Sequence, residues 1–204
     1  MMKVALTGSI AVGKSTVLNL FRELGCHTME ADEIAHEVMR PCRPAYHDVV
    51  RAFGPGILAE DGTIHRGRLG ALVFHDAARR EQLNRLVHPY VLEEIERRIA
   101  ELERTDPSGM LIVAAALVIE AGAHRRFDRV IVVYCDEEEQ IARVMRREGI
   151  DREEALARIR AQLSSDEKRR YADFEINTSG PLEHTRAQVE ALYRRLRAES
   201  ATSS

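Results

Sequence analysis

The sequence predicts an α/β protein: a parallel five-stranded sheet flanked by helices, with an added helical segment. Three observations predict it. Gly8-Ser9-Ile10-Ala11-Val12-Gly13-Lys14-Ser15 reads G-x-x-x-x-G-K-S, and it sits between an aliphatic run at 3–7 and a stretch whose Val17, Leu18, Leu20, Phe21 and Leu24 fall on one helical face. Strand-like and helical segments alternate along the rest of the chain, the pattern of a parallel sheet with right-handed crossovers. Residues from about 33 to 87 read as helix throughout, too long for a plain crossover, and are expected to form a substrate-binding insertion.

The elements follow in order. The first strand covers 3–7 and the first helix 15–24, with Gly25 as its stop. A short strand at 26–29 precedes a helix at 31–39, which Pro41 and Pro44 cut off, and another at 44–53. Gly54-Pro55-Gly56 and Asp61-Gly62 punctuate turns. Helices are expected at 66–74 and at 76–87, the second capped by Asp76, and Pro89 suits the first turn of a separate helix running to about 104. The apolar run 110–119 reads as a central parallel strand and 129–135 as another. Asp136-x-x-Glu139 resembles a capping box opening a helix to 147, and Asp151-x-x-Glu154 opens one to about 163. A short helix at 165–171, a strand at 174–176 and a final amphipathic helix after Ser179-Gly180-Pro181 complete the chain, with 199–204 expected to fray.

Composition bounds the function. A hydrophobic fraction of 45% over 204 residues is ordinary for a globular chain with a full core. A net charge of −3 gives no electrostatic footprint for nucleic acid. The longest apolar run, 110–119, is half a membrane span. Cys26, Cys42 and Cys135 form no C-x-x-C pair and leave an odd count, so a disulfide framework is not expected. With a strand at the very start and no signal-peptide pattern, the expected location is cytoplasmic.

The chemistry-bearing residues form three groups. The G-x-x-x-x-G-K-S loop arranges backbone N–H groups and a helix N-terminus around a polyphosphate, with Lys14 near the β- and γ-phosphates and the Ser15 hydroxyl as a Mg²⁺ ligand. A glycine-rich turn without a ligand is the bland alternative, and the strand–loop–helix context speaks against it. Glu30-Ala31-Asp32 closes the second strand, and the carboxyl ends of parallel strands surround the ligand crevice in such folds. Asp32 can accept the proton of an attacking hydroxyl or hold a metal-bound water; capping the following helix is the alternative. Arg143, Arg146, Arg147, Arg152, Arg158 and Arg160 form a basic cluster followed by Lys168, Arg169 and Arg170. Arg143 and Arg147 share a helix face and suit a phosphate clamp; on spacing alone, solvated charge paired with Glu139, Glu148, Glu153 and Glu154 is the simpler reading. His36-Glu37 fails as a zinc motif because Arg40 occupies the last position. Asp106-x-x-Gly109 precedes a strand, and without an N-K-x-D motif it is no GTPase switch.

These residues bring a resemblance into view. Over nearly its whole length the chain resembles the dephospho-coenzyme A kinases. Their loop T-G-G-I-G-S-G-K-S is here Thr7 to Ser15, and their D-A-D is Glu30-Ala31-Asp32. Their D-G-x-x-D-R-x-x-L-x-x-x-V-F is matched by Asp61, Gly62, Arg66, Leu69, Val73 and Phe74, with His65 for the second Asp, and their H-P by His88-Pro89. P-L-L-F-E is Ala116 to Glu120; Q-x-x-R-x-x-x-R is Gln140, Arg143 and Arg147; R-I-x-x-Q is Arg158, Ile159 and Gln162; E-K-x-x-x-A-D is Glu167, Lys168, Ala172 and Asp173. Ala11-Val12, Glu30, Ala116 and Asn177-Thr178 depart from the pattern.

The resemblance implies a P-loop NTP hydrolase fold of the nucleoside-monophosphate-kinase type, with a core of about 1–32, 88–139 and 166–204, a helical CoA-binding insertion of about 33–87 and a lid of about 140–165. It implies phosphorylation of the ribose 3′-hydroxyl of dephospho-CoA, with ATP and Mg²⁺ as cofactors. Asp32, Lys14, Arg143 and Arg147 become the catalytic set. Gly8, Ser9, Ile10, Ala11, Val12, Gly13, Lys14, Ser15, Thr16 and Arg158 become the nucleotide site, with Ser15 on the metal. Arg66, His88, Glu120 and Asp32 are placed near the acceptor. The expected partner is this small molecule, with no nucleic acid or membrane, for a monomer or weak homo-oligomer. Another small-molecule acceptor, a nucleotide or sugar acid, and a nucleotide-binding regulator without catalysis remain as alternatives.

Overall fold

A computed structural model describes residues 1–74 and 76–202. The chain divides into two compact units, one of residues 1–30 with 106 onward, the other of residues 31–105.

The first unit is built on five parallel strands in the order β2-β3-β1-β4-β5: β1 (Met2–Thr7), β2 (His27–Glu30), β3 (Met110–Ala114), β4 (Arg129–Tyr134) and β5 (Phe174–Asn177). β1 lies in the middle because its Val4, Ala5 and Leu6 are apolar on both faces, and all three are fully buried. α1 (Lys14–Glu23) lays Val17, Leu18 and Phe21 on the sheet, where they join Leu6, Ile112, Ile131, Ile176 and, from α9 (Leu182–Thr202), Val189 and Leu196. The opposite face packs Ala5, Val130 and Val132 against Val118 and Ile119. α6 (Glu137–Glu148), α7 (Arg152–Arg160) and the short α8 (Ser165–Arg169) complete the unit. The thiols are free, Cys26 and Cys135 buried and Cys42 exposed.

The second unit is helical: α2 (Ala31–Val38), α3 (Pro44–Phe53), α4 (Arg66–Phe74) and α5 (Ala77–Thr105), with a 3-10 turn at Pro55–Ile57. Ile34, Ala45, Val49, Ile57, Leu69, Val87, Val91 and Ile95 are its buried apolar residues. Tyr90 Oη donates to Asp48 Oδ2 at 2.6 Å, Tyr46 Oη donates to the Gly62 carbonyl at 2.7 Å, and Arg98 bridges Glu94 of its own helix to Glu37 of α2.

Several expectations are corrected here. β3 ends at Ala114, although the apolar run continues to Ile119. Ala114 is its last paired residue, opposite Leu6 of β1 and Glu30, the last residue of β2, so the ladder on both sides ends there. The later residues are apolar because Val118 and Ile119 are buried under the sheet. The expected pair of helices meeting at Pro89 is one continuous helix of 29 residues with Pro89 inside it. Val87, Val91 and Ile95 carry one buried stripe across the proline, and that burial outweighs the missing backbone donor. Asp76 does cap α5, accepting from Arg79 N at 3.0 Å. Asp136 makes no side-chain cap on α6; Glu139 instead accepts from Arg143 and from Gly180 N. A capping box stands at Ser164 and Glu167 on α8. α9 stays helical through the stretch expected to fray, to Thr202, because Glu199 accepts from Arg129 at 3.1 Å and Arg195 at 3.2 Å; Ser203 and Ser204 lie outside the described residues. Among the described residues no helix is long and apolar enough to cross a membrane.

Candidate active site

β1 feeds directly into the phosphate-binding loop at the carboxyl edge of the sheet. Gly8 takes φ 154°, and a Cβ there would stand 2.3 Å from the Val133 carbonyl, so only glycine passes this point. Gly13 (φ 90°) opens α1 in a left-handed conformation, with Thr178 directly against it. Between them Ala11 is also left-handed, at φ 59°. A side chain in that region costs about 1–2 kcal/mol, so this loop is held in shape by its surroundings.

The amino end of α1 suits an anion. No side chain caps it and no acid lies in its first turn. Ser15 and Thr16 are exposed there. First-turn amides have no acceptor within their own helix, and the helix dipole adds partial positive charge. Lys14 Nζ folds onto the loop, donating to the carbonyls of Gly8 at 2.9 Å and Ser9 at 2.8 Å. Its ammonium is therefore delivered to the loop itself.

Side chains from distant parts of the chain hold the loop. Gln162, just after α7, accepts from Ser9 Oγ at 3.3 Å and from Ile10 N at 3.0 Å through one oxygen. Gln140 of α6 donates from Nε2 to the Ile10 carbonyl at 2.8 Å. Thr178 Oγ1 donates to the Val12 carbonyl at 2.6 Å. Ile10 and Ala11 pack on Ile141, Val144 and Ala155 of α6 and α7.

The arginines expected to clamp phosphate have protein partners. Arg143 donates to the Thr178 carbonyl at 2.8 Å, to Thr178 Oγ1 at 3.1 Å and to Glu139 at 2.6 Å, so it buttresses the residue that touches the loop. Arg147 and Arg158 both bind Glu148, at 2.9 Å and 2.6 Å. Burial works against the Glu148 carboxylate, but the Arg147 hydrogen bond and the two cations outweigh it and hold its pKa below the ordinary glutamate value.

Glu120 lies in the turn after β3, and its carboxylate accepts from Lys168 Nζ at 2.8 and 3.1 Å and from Leu163 N at 3.3 Å. Lys168 is completely buried, and its ammonium also donates to the Ala116 carbonyl at 2.6 Å. Thr7 Oγ1 reaches the same carbonyl at 3.3 Å, so the pair ties α8 to the end of β1.

The remaining expected residues belong to the helical unit. Asp32 is exposed in the first turn of α2, and Arg66 is exposed as the first residue of α4. Both act on His36: its burial lowers the imidazole pKa, the Arg66 cation lowers it further, and Asp32 and Glu33 oppose them. His88 is half-buried in α5, beside Pro89. Among the described residues no three His, Cys, Asp or Glu side chains cluster as a metal site.

The sequence pattern pointed to the loop, Lys14 and Ser15 but missed Gln140, Gln162 and Thr178 as the loop's supports. One signal was present for Gln140: it lies one turn before Val144, among residues that α6 buries. A glutamine on such a face has a buried partner to satisfy.

A parallel sheet whose central strand runs through G-x-x-x-x-G-K-S into an uncapped helix defines a P-loop nucleotide-binding protein. The dephospho-CoA kinase (CoaE) family profile matches residues 2–184. The dephospho-CoA kinase of Syntrophus aciditrophicus is 40% identical over 210 residues, covering 100% of this chain and 89% of the relative. Among solved structures, TT1252 from Thermus thermophilus superposes with a TM-score of 0.79 at 31% identity, covering 96% of this chain and 97% of that one. The dephospho-CoA kinase from Campylobacter jejuni superposes with a TM-score of 0.63 at 26% identity, covering 95% and 96%. The chain belongs to the dephospho-CoA kinase family.

Proposed function

We propose that the chain transfers the γ-phosphoryl group of ATP to the ribose 3′-hydroxyl of dephospho-CoA, giving CoA and ADP. One observation carries this reading: the family match runs from residue 2 to 184, through the sheet unit and the helical unit alike. It is thus not confined to the loop that all kinases of this class share.

In this proposal the acceptor's 3′-oxygen attacks the γ-phosphorus as the bond to the β–γ bridging oxygen breaks. ADP leaves with that electron pair, and the hydroxyl proton passes to the Asp32 carboxylate. Asp32 follows the last residue of β2 by two positions and is exposed, as a proton acceptor must be. Residues Gly8 to Thr16 cradle the phosphates, and Lys14 places its charge on the β- and γ-groups. The uncapped, acid-free first turn of α1 and the exposed Ser15 hydroxyl fit a metal–nucleotide, so Ser15 would hold Mg²⁺. When bound, that ion neutralises charge on the phosphate oxygens. Arg143, Arg147 and Arg158 serve the nucleotide side; Arg66, His88 and the loop carrying Glu120 serve the acceptor. The proposed organisation keeps the helical segment as the CoA-binding part and residues of about 140–165 as a lid, in a cytoplasmic enzyme.

The test is ADP release with MgATP and dephospho-CoA, and the product's mass. A gain of one phosphoryl group on dephospho-CoA, lost in Lys14→Ala, is the expected result. Phosphorylation of a nucleotide or sugar acid but not of dephospho-CoA would overturn the acceptor assignment.

A further inference from the structure

The main chain of Ile10 is gripped on both sides. Its N–H donates to Gln162 Oε1 at 3.0 Å, and its carbonyl accepts from Gln140 Nε2 at 2.8 Å. A backbone N–H only donates and a carbonyl only accepts, so each amide's orientation is fixed: Gln162 presents oxygen and Gln140 nitrogen. Gln140 is only 5% exposed, so water does not replace its bond. The next residue, Ala11, is held at φ 59°. A strained backbone persists only where its surroundings over-determine it. The two amides supply that constraint immediately ahead of the strain, and the Ile10 and Ala11 side chains settle on Ile141, Val144 and Ala155 beneath it.

We propose that Gln140 and Gln162 are positioning residues for phosphoryl transfer, acting through the main chain of Ile10 to hold the loop in its nucleotide-receiving shape. Neither touches the reacting atoms; each acts on where the loop's amides stand. The inference rests on the kinase reading only in that the loop binds ATP, and it is indifferent to the acceptor.

The direction of the two hydrogen bonds provides the test. Gln162→Glu keeps an oxygen for Ile10 N–H and Ser9 O–H, whereas Gln140→Glu sets a carboxylate against the Ile10 carbonyl. Both add a carboxylate beside the same residue, and the uncharged pair Gln140→Met and Gln162→Met controls for the deeper burial of Gln140. ATP binding is measured by calorimetry on the full chain, with KM for both substrates alongside. Gln140→Glu is expected to bind ATP roughly tenfold more weakly than Gln162→Glu, as a buried carbonyl that loses its donor implies. KM for dephospho-CoA is expected to stay unchanged, which a general loss of structure would not allow. Equal ATP affinities in the two variants, or matched losses in both KM values, would overturn the proposal. Should Gln140→Glu fail to fold, Gln140→Met and Gln162→Met remove the same bonds without charge. Each is then expected to weaken ATP binding about fivefold, and unchanged affinity overturns the proposal. Failure to phosphorylate dephospho-CoA while the ATP difference persists would remove the acceptor assignment and leave this inference standing.

Discussion

Ala11 sets the tension of the phosphate loop. It stands where the family pattern has glycine, and its φ of 59° is the conformation that glycine adopts without strain. Ala11→Gly relieves about 1–2 kcal/mol of that strain but returns roughly 0.4–1 kcal/mol of freedom to the unfolded chain. The net expectation is a gain in stability of about 0.5–1 kcal/mol. Ala11→Val, with a branched Cβ in the same conformation, is expected to lose at least about 1 kcal/mol. Urea denaturation of both variants reads the two signs. The sequence made Gly8, Gly13, Lys14 and Ser15 legible because the loop's needs are local. It did not disclose that Gln140, Gln162 and Thr178 hold the loop, because hydrogen bonds spanning 130 to 166 residues leave no periodicity. Arg143 was expected as part of a phosphate clamp, and its engagement by Thr178 and Glu139 was not legible.

Elements were read well where neighbours in sequence decide them and less well where the partner does. The start of α5 and the cap of α7 followed from Asp76 and Asp151, each bonding the backbone three residues on. The end of β3 and the passage of α5 through Pro89 depended on strands and helices elsewhere in the chain. Glu94 is held within α5, by Arg97 and by the Arg98 that also reaches Glu37 of α2. Hydrogen bonds from Arg97, with help from Arg98 and against desolvation, bring its pKa down to about 2. Since the folded value lies below the ordinary 4.5, the stabilisation is complete above pH 4.5 and is lost as pH falls toward 2. The stability gap between the native chain and Glu94→Gln is expected to narrow between pH 5 and pH 2.5, measured by denaturant unfolding at each pH. The α8 contact makes a second case. Lys168→Met leaves the Glu120 carboxylate and the Ala116 carbonyl without their ammonium. About 3 kcal/mol is the expected loss, at the low end for broken buried pairs, because the Glu120 side chain is 24% exposed. Chemical denaturation would measure it, and a loss under about 1 kcal/mol would place the pair with surface ion pairs instead.

Across the whole molecule, the alternation of strands and helices identified the parallel sheet. The helical unit spans 31–105, because α5 runs on through Pro89. The proposed roles are spread over the chain: Lys14 belongs to the sheet unit and Asp32 to the helical unit. Binding and chemistry are therefore separable by mutation. Asp32→Asn is expected to lower kcat by about 10²–10⁴-fold, as loss of a general base does, while ATP affinity stays within about twofold. An unchanged kcat would take Asp32 out of the base role. The sheet's outline has a practical consequence. Its two outer strands, His27–Glu30 and Phe174–Asn177, are four residues each, shorter than the three strands between them. So short a border offers an approaching chain few open backbone donors and acceptors to zip onto. Concentrated stocks are expected to stay clear on warming until the native state itself is lost, with light scattering rising together with unfolding rather than ahead of it.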